Sequence, residues 1–172
     1  KKGEIIRLKK GLYISRHYLD ALDKKNRMSE YSEFLANILY KSSYLSLEWV
    51  LYENNLLTEL PKNFTSMSLA KTAVFTNKLG NFFYHQIKPE LFLGVKVLRA
   101  SDFTIFKASK AKALFDFLYL RKNYLINKRA VLELRLNLDN LTAGDFKELA
   151  KYAKLEGSVK MREILNNLMK SK

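Results

Sequence analysis

The feature that most constrains the fold is a hairpin pattern between the chain's two prolines, Pro61 and Pro89. Residues 74–76 and 82–87 are mostly aromatic or β-branched, and the segment between them contains Gly80. Two such runs joined by a short glycine-containing segment are typical of antiparallel strands. Proline cannot donate a hydrogen bond to a neighbouring strand, so the two prolines mark where the pattern is interrupted. The sequence therefore predicts a β-hairpin in the middle of the chain.

Further segments also predict strands. Residues 64–68 alternate in character, and residues 92–98 and 103–107 form a second pair. Near the start of the chain, residues 4–15 interleave apolar and basic side chains around a Lys-Gly turn, which predicts a shorter strand pair. The simplest assembly of the central strands is a small antiparallel sheet.

Helical segments surround these strands. Apolar residues three and four positions apart follow hydroxyl side chains that can accept a hydrogen bond at a helix N-terminus. The serine and threonine residues expected in this role are Ser29, Ser46, Ser109, Thr142 and Ser158. The helix after Ser109 places Leu114 and Phe115 on its apolar face, so we expect both in the core. The predicted fold class is α+β, a small antiparallel sheet flanked by helices.

The composition limits the size and the chemistry of this fold. With 172 residues, of which 48% are hydrophobic, the chain suffices for one sizeable core. It has no cysteine, so disulfides, thiolate metal ligands and thiol nucleophiles are excluded, and we expect a cytoplasmic location. No apolar run approaches the ~20 residues that span a bilayer, so we expect no membrane segment. The first residue is lysine, and we expect the chain to be part of a longer protein.

The positive charge indicates the kind of partner. Lys and Arg number 31 against 17 Asp and Glu, which gives a net charge of +14 and a pI near 9.8. Residues 107–130 hold seven basic side chains and one acidic side chain, and both ends of the chain are basic as well. Such an excess favours an anionic partner, either nucleic acid or an acidic protein. A lysine-rich solvated surface without a partner is the alternative interpretation.

Residue types used in catalysis and metal binding form no motif in this sequence. The two histidines, His17 and His85, are far apart and lack a carboxylate at metal-ligand spacing. His85 lies among strand aromatics, and we expect it to be packed and hydrogen-bonded. A hydrolase or nuclease would have to assemble carboxylates from separate elements, and the candidates are Asp102, Asp116, Glu48 and Glu90. We therefore expect no catalytic residue, no metal and no cofactor.

Four segments match the pattern of a known family in the same order. They are residues 42–48, Ser-Ser-Tyr-Leu-Ser-Leu-Glu; residues 64–68, Phe-Thr-Ser-Met-Ser; residues 80–88, Gly-Asn-Phe-Phe-Tyr-His-Gln-Ile-Lys; and residues 108–116, Ala-Ser-Lys-Ala-Lys-Ala-Leu-Phe-Asp. Together they resemble the antitoxin of the AbiEi type, from the bacterial type IV, or abortive-infection, toxin-antitoxin systems. The resemblance covers roughly residues 3–125.

Within these segments, nine side chains carry the resemblance. They are Tyr44, Ser46, Leu47, Glu48, Tyr84, Lys88, Lys112, Leu114 and Asp116. Three positions depart from the family pattern: Ser42 stands for a proline, and Lys110 and Ala111 stand for a proline and a glutamate. Taken singly, most matched residues are interpreted as structural, with Ser46 as a helix cap, Tyr44 in the core and Lys112 paired with a carboxylate.

The resemblance implies an antitoxin and transcriptional autoregulator that opposes a nucleotidyltransferase toxin, usually without a stable complex. It implies that residues 1–17 are the remnant wing of a winged-helix DNA-binding domain and that residues 18–172 are the antitoxin domain. The DNA partner is then the protein's own promoter. The side chains expected to meet its phosphates are Lys1, Lys2, Arg7, Lys9 and Lys10. Those expected to form an antitoxin surface in the basic later part of the chain are Lys122, Lys128 and Arg129.

Two other functions stay open from the sequence. A nucleic-acid-binding module or transcriptional regulator without antitoxin activity would have the same excess of positive charge. An enzyme is the third interpretation, and it depends on the scattered carboxylates named above.

Overall fold

The computed structural model describes residues 4–100 and 102–170 of the chain. The strands are β1 (Ile5–Lys9), β2 (Leu12–Ser15), β3 (Ser43–Leu45), β4 (Phe64–Ser68), β5 (Ala73–Asn77), β6 (Gly80–Gln86), β7 (Val95–Ala100) and β8 (Phe103–Ala108). The helices are α1 (Arg16–Lys24), α2 (Met28–Leu39), α3 (Leu47–Glu53), α4 (Lys110–Arg121), α5 (Lys128–Leu132), α6 (Ala143–Glu156) and α7 (Val159–Met169). The α+β class predicted from the sequence is confirmed.

Six of the described strands form one mixed sheet in the order β5-β6-β4-β3-β8-β7. β4 is parallel to β6 and β3 is parallel to β8, so the expectation of a wholly antiparallel sheet is wrong at these two contacts. β6 carries Phe82 and Tyr84, which are fully buried, whereas β5 exposes Val74 and Thr76. The more deeply buried strand, β6, takes the interior position between β4 and β5, and because it pairs antiparallel with β5 it runs parallel to β4.

The three predicted strand pairs are all present. β5 pairs antiparallel with β6, and Asn77 lies opposite Gly80 at the turn. Gly80 has φ +139°, a backbone conformation that favours glycine. β7 and β8 form the second antiparallel pair, and β1 and β2 form a separate two-stranded sheet.

The predicted helix starts divide into two groups. In three helices, α4, α6 and α7, the predicted hydroxyl accepts a hydrogen bond from the backbone N–H three residues later, and these residues are Ser109, Thr142 and Ser158. Ser46 precedes α3, but its hydroxyl makes no capping hydrogen bond. α2 begins at Met28, before the predicted Ser29, and the residue ahead of it, Arg27, makes no side-chain capping bond.

The first hairpin and the helix after it pack onto the rest of the fold. Ile6, Leu8 and Ile14 belong to the same buried core as the central strands. The side-chain amide of Asn77 on β5 donates to the backbone carbonyl of Leu8 at 3.2 Å. α1, a helix that the sequence patterns did not predict, continues directly from β2 and contributes further apolar side chains to this core.

Helices cover both faces of the six-stranded sheet. Tyr84 on β6 points toward α2, and its hydroxyl donates to the carbonyl of Ala36 at 2.6 Å. Tyr44 on β3 points toward α4 on the other face, and α6 and α7 pack against α4 from outside. Leu114 and Phe115 on α4 are fully buried, as predicted. α4 is therefore the helix that joins the sheet to the C-terminal helices.

Because Leu114 is fully buried, Leu114→Ala should lower the free energy of unfolding by about 2 to 5 kcal/mol through lost burial and a residual cavity. Lys151→Ala, at an exposed position on α6, is the matched control and should change it by less than about 0.5 kcal/mol. Chemical denaturation followed by circular dichroism measures both. Equal stabilities of Leu114→Ala and the parent would contradict the position of α4 in the core.

Candidate functional site

Four of the motif side chains meet in one fully buried cluster. Lys112 and Asp116 lie one turn apart on α4, are fully buried, and form an ion pair. The other carboxylate oxygen of Asp116, Oδ2, accepts hydrogen bonds from the Ser46 hydroxyl at 2.7 Å and from the Tyr44 hydroxyl at 3.0 Å. Asp116 thus receives three donors from two separate parts of the sequence, and the cluster ties β3 and the start of α3 to α4.

Burial acts on both members of the ion pair. It raises the pKa of Asp116 above its usual value, against the opposing effects of the Lys112 ammonium and the two hydroxyls. It lowers the pKa of Lys112, against the opposing effect of Asp116. The Lys112 nitrogen also lies 4.9 to 5.7 Å from the ring centroids of Tyr44, Phe115 and Tyr152, where aromatic faces stabilise a cation. The pair has no net charge whichever partner holds the proton.

This cluster is placed to hold the fold together. Ser46, Lys112 and Asp116 have no measurable exposure, and their polar atoms bond to one another. A nucleophile or a general base must reach a reacting atom of a substrate. The prediction that Lys112 pairs with a carboxylate and that Tyr44 belongs to the core is confirmed. Ser46 occupies the predicted N-cap position of α3, but its hydroxyl makes no capping hydrogen bond and donates to Asp116 instead.

The remaining motif residues have individual roles. Leu47 is buried in the core, as Leu114 and Tyr84 are. Lys88 is exposed after β6, 4.0 Å from Glu90. Ser42, which stands for a proline in the family pattern, has φ +56°, and proline cannot adopt this conformation because its ring fixes φ near −65°. The backbone before β3 therefore follows a path that the family's proline could not take.

The last motif residue, Glu48, contributes to an open cleft. It pairs with Arg121 at the end of α4, whose guanidinium also donates to the Phe117 carbonyl at 3.2 Å and lies over the Phe117 ring. Two adjoining cavities of about 890 and 660 Å³ open here, and both are lined by Glu48, His85, Arg121, Glu133 and Leu134. Clefts with a few converging polar groups are the usual form of small-molecule sites.

His85 is one of the polar groups that line this cleft. Its ring is half-buried, and no hydrogen bond joins it to any residue in 4–100 or 102–170, so the expectation that it is hydrogen-bonded does not hold there. Burial lowers the pKa of His85, Glu48 opposes this effect and Arg121 adds to it. At neutral pH the imidazole is therefore uncharged and presents one donor and one acceptor to the cleft.

The carboxylates that an enzyme would need are not brought together. Each pairs with a different cation: Asp102 with Arg27, Asp116 with Lys112, Glu48 with Arg121 and Glu90 with Lys88. Within the described part of the chain, no group of three or more His, Cys, Asp or Glu side chains could hold a metal ion. In the same part, no helix combines the length and apolar character that crossing a membrane requires.

A second charged cluster was not anticipated from the sequence. The ammonium of Lys107 on β8 contacts Glu33 at 2.6 Å and Glu53 at 2.9 Å, and the Trp49 indole N–H donates to Glu33 at 2.9 Å. Burial and the adjacent Glu33 carboxyl raise the pKa of Glu53 to about 7, with Lys107 opposing the shift. The members of this cluster come from α2, α3 and β8, which are separate elements of the chain. They therefore meet only in the folded protein.

The basic residues assigned to DNA phosphates divide by environment. Lys1 and Lys2 lie outside the described residues. Arg7 and Lys10 are exposed on the first hairpin. Lys9 donates to the carbonyl of Leu39 at 2.7 Å, at the C-terminal end of α2, where a cation complements the helix dipole. Of the described hairpin cations, Arg7 and Lys10 therefore face solvent and Lys9 binds within the protein.

The basic residues assigned to an antitoxin surface divide in the same way. Lys122 forms a 2.6 Å ion pair with Glu156, whose side chain is almost wholly buried. Lys128 and Arg129 are exposed in the first turn of α5, and Arg129 pairs at 3.1 Å with Glu133 one turn later. Lys122 therefore stabilises the packing of α6 against the end of α4, and the other two cations face solvent.

Comparison of the chain with protein-family models, with curated proteins and with solved structures found no match.

Removing one member of the buried pair should be more harmful than removing both. Lys112→Met or Asp116→Leu alone should destabilise the protein by about 3 to 5 kcal/mol, because each leaves an uncompensated buried charge. The double variant should be clearly more stable than the sum of the two losses predicts. Denaturant unfolding of the three variants and the parent forms the double-mutant cycle, and additive losses would show that the two groups do not interact.

The raised pKa of Glu53 makes stability depend on pH in a stated direction. The folded protein binds this proton more tightly than the unfolded chain, so the contribution of Glu53 is fully present below its usual pKa of 4.5 and is lost as the pH rises through about 7. The difference in Tm between the parent and Glu53→Gln should therefore favour the parent most near pH 4.5 and least above pH 7.

Glu163→Gln is the control for this measurement, because it removes the same charge at an exposed position on α7, far in sequence from Glu33 and Lys107. Melting curves of the parent and both variants at a series of pH values provide the comparison. A parent advantage over Glu53→Gln that grows as the pH rises would contradict the assignment.

Proposed function

We propose that this chain is the antitoxin domain of an AbiEi-type protein, and that it acts by binding rather than by catalysis. The observation that carries the proposal is the way the four resembling segments assemble. They form β3 with the start of α3, β4, β6, and the start of α4, and β6, β4 and β3 are neighbours in the sheet. Segments that match a family in sequence order thus make up one continuous structural unit.

The polar motif residues give this unit its internal consistency. Tyr44 and Ser46 come from the first matching segment, and Lys112 and Asp116 from the last, and all four bond within one cluster. A shared fold requires that side chains some 70 positions apart in the sequence contact one another, as these do. This supports a resemblance at the level of the fold, and function follows from it by analogy.

A binding role agrees with where the polar groups lie. The interior acids and lysines are paired with one another, so any partner meets the outer surface of the protein. On that surface, Lys128 and Arg129 stand together in the first turn of α5. We propose that they form the antitoxin surface, and that Lys122 stabilises the fold beneath this surface through its ion pair with Glu156.

The second candidate function is a nucleic-acid-binding regulator without antitoxin activity. The favouring observation is the first hairpin, which exposes Arg7 and Lys10 while its apolar side chains are buried in the core. A hairpin with exposed cations suits contact with a phosphate backbone, as in the wing of a winged helix. In both candidates the protein's own promoter is the proposed DNA partner, and the nucleotidyltransferase toxin is the proposed opponent in the first.

Charge reversal at Lys128 and Arg129 together should abolish or strongly reduce rescue of toxin-arrested growth by the full-length protein. The melting temperature should change by little, because both side chains are exposed and surface ion pairs contribute about 0 to 1 kcal/mol. Lys122 is left unchanged, since reversal there would place two carboxylates together at Glu156. Growth in cells that express the neighbouring toxin gene is the measurement.

Lys41→Glu with Lys71→Glu is the matched control, because it reverses two exposed lysines elsewhere and changes the net charge equally. The control should rescue growth as the parent does. Equal loss in both double variants would mean that net charge matters and the α5 surface does not. A parent protein that binds its promoter but never rescues growth would favour the second candidate.

A further inference from the structure

β7 is an open edge of the six-stranded sheet. It pairs with β8 on one side, and no described strand pairs with it on the other. At the opposite edge of the sheet, β5 packs against the first hairpin through Asn77. An edge strand carries backbone donors and acceptors that can pair with a further strand.

The hydrogen-bond pattern identifies which groups of β7 point outward. The backbone N–H of Ser109 donates to the carbonyl of Gly94 at 3.0 Å, so these two residues form a hydrogen-bonded pair in the ladder. In an antiparallel ladder such pairs alternate with non-bonded pairs. In this register, the backbone N–H and C=O groups of alternate residues on β7 point toward β8, and these residues are Lys96, Leu98 and Ala100. The backbone groups of Val95, Val97 and Arg99 point outward, away from β8.

On β8, the outward backbone groups of Phe106 do have a hydrogen-bond partner. Its backbone N–H donates to the side-chain oxygen of Asn37 at 2.8 Å, and its carbonyl accepts from the same amide at 3.1 Å. One side chain of α2 thus meets the outward groups of β8. Within residues 4–100 and 102–170, no group does this for Val95, Val97 or Arg99 of β7.

The side chains at this edge combine apolar surface with positive charge. Val97, 57% exposed, and Phe106, 41% exposed, lie opposite each other on one face of the sheet, and Leu98, 41% exposed, points to the other face. Lys96 and Arg99 flank the apolar pair on β7, and both are exposed. Edge lysines alone protect a strand against aggregation, but three exposed apolar side chains oppose that protection.

The positive charges on β7 indicate which kind of strand could pair with this edge. In an antiparallel pair of β7 with β7 of a second copy, outward-facing residues must lie opposite outward-facing residues, so Val97 lies opposite either Val97 or Arg99 of the second copy. The two Lys96 side chains in the first register, or the two Arg99 side chains in the second, are then diagonal neighbours, and these like charges repel. Glutamate or aspartate opposite Lys96 and Arg99 in an added strand would be attracted instead. The chain as a whole carries +14, which repels a second copy further.

We propose that β7 binds an extended acidic segment of a partner protein, which adds to the sheet as a seventh strand. The outward groups of Val95, Val97 and Arg99 pair with its backbone, and Lys96 and Arg99 meet carboxylates three positions apart. Val97, Leu98 and Phe106 contact the apolar residues between them. The main-chain pairing supplies affinity, and the two cations supply the preference for acidic sequences.

The probe is the blocked hexapeptide Thr-Glu-Val-Val-Glu-Thr, compared with Thr-Lys-Val-Val-Lys-Thr, by titration against the full chain. The glutamate peptide should bind about tenfold more tightly, the factor expected when two exposed cross-strand pairs change from repulsion to attraction. Amide hydrogen exchange should slow at Val97 and Arg99, whose N–H groups point outward, and should stay unchanged at Leu98. Equal affinity for both peptides, or slowing without this alternation, overturns the proposal.

Two variants test the site itself. Val97→Pro removes one outward N–H without removing a bond to β8, and should abolish binding, whereas Val97→Thr keeps that N–H and should bind as the parent does. Lys96→Glu with Arg99→Glu should reverse the preference between the two peptides, and this test holds even if the proline variant fails to fold. A concentration-dependent dimer in sedimentation that Val97→Pro removes would make a second copy the occupant and overturn the proposal.

Discussion

The buried pair of Lys112 and Asp116 is the constraint on which most of the other contacts in this structure depend. A carboxylate without exposure needs donors on every side, because an unpaired charge in the interior costs several kcal/mol. Lys112 supplies one donor from the same helix, and the hydroxyls of Ser46 and Tyr44 supply the others. These two residues can reach Asp116 only if β3 lies beside α4. One ion pair therefore fixes the position of a sheet strand, of the start of α3 and of the central helix relative to one another.

The contacts of this pair also show which structural predictions from the sequence succeed and which fail. The periodicity of α4 and the capping hydroxyls of Ser109, Thr142 and Ser158 were predicted, because each depends on residues three or four positions apart. Ser46 has the local pattern of a cap, but its hydroxyl bonds to a residue 70 positions away. Local rules cannot anticipate such a partner. The parallel contact of β4 with β6 was missed for a related reason, since strand order depends on which strand must be buried.

The charged groups outside the pair obey the same distinction. Lys107, Glu33 and Glu53 meet only when α2, α3 and β8 are in place, and no local sequence pattern predicts that cluster. The opposite case is Lys122, Lys128 and Arg129, which were grouped together because they are close in sequence. Lys122 is committed to Glu156, and Lys128 and Arg129 remain at the surface. Nearness in sequence identified a basic region, and the fold decides which of its cations a partner can meet.

The interior and the surface thus have separate tasks in this protein. Polar groups in the interior bond to one another and hold β3, the start of α3 and α4 together. Groups that a partner could meet in the described structure include the His85 ring in its cleft, the exposed cations of α5, and the outward backbone of β7. The last two both carry positive charge, and both favour an acidic or anionic partner. Because they belong to different elements, variants of one can be tested without altering the other, and binding at each surface can be assigned separately.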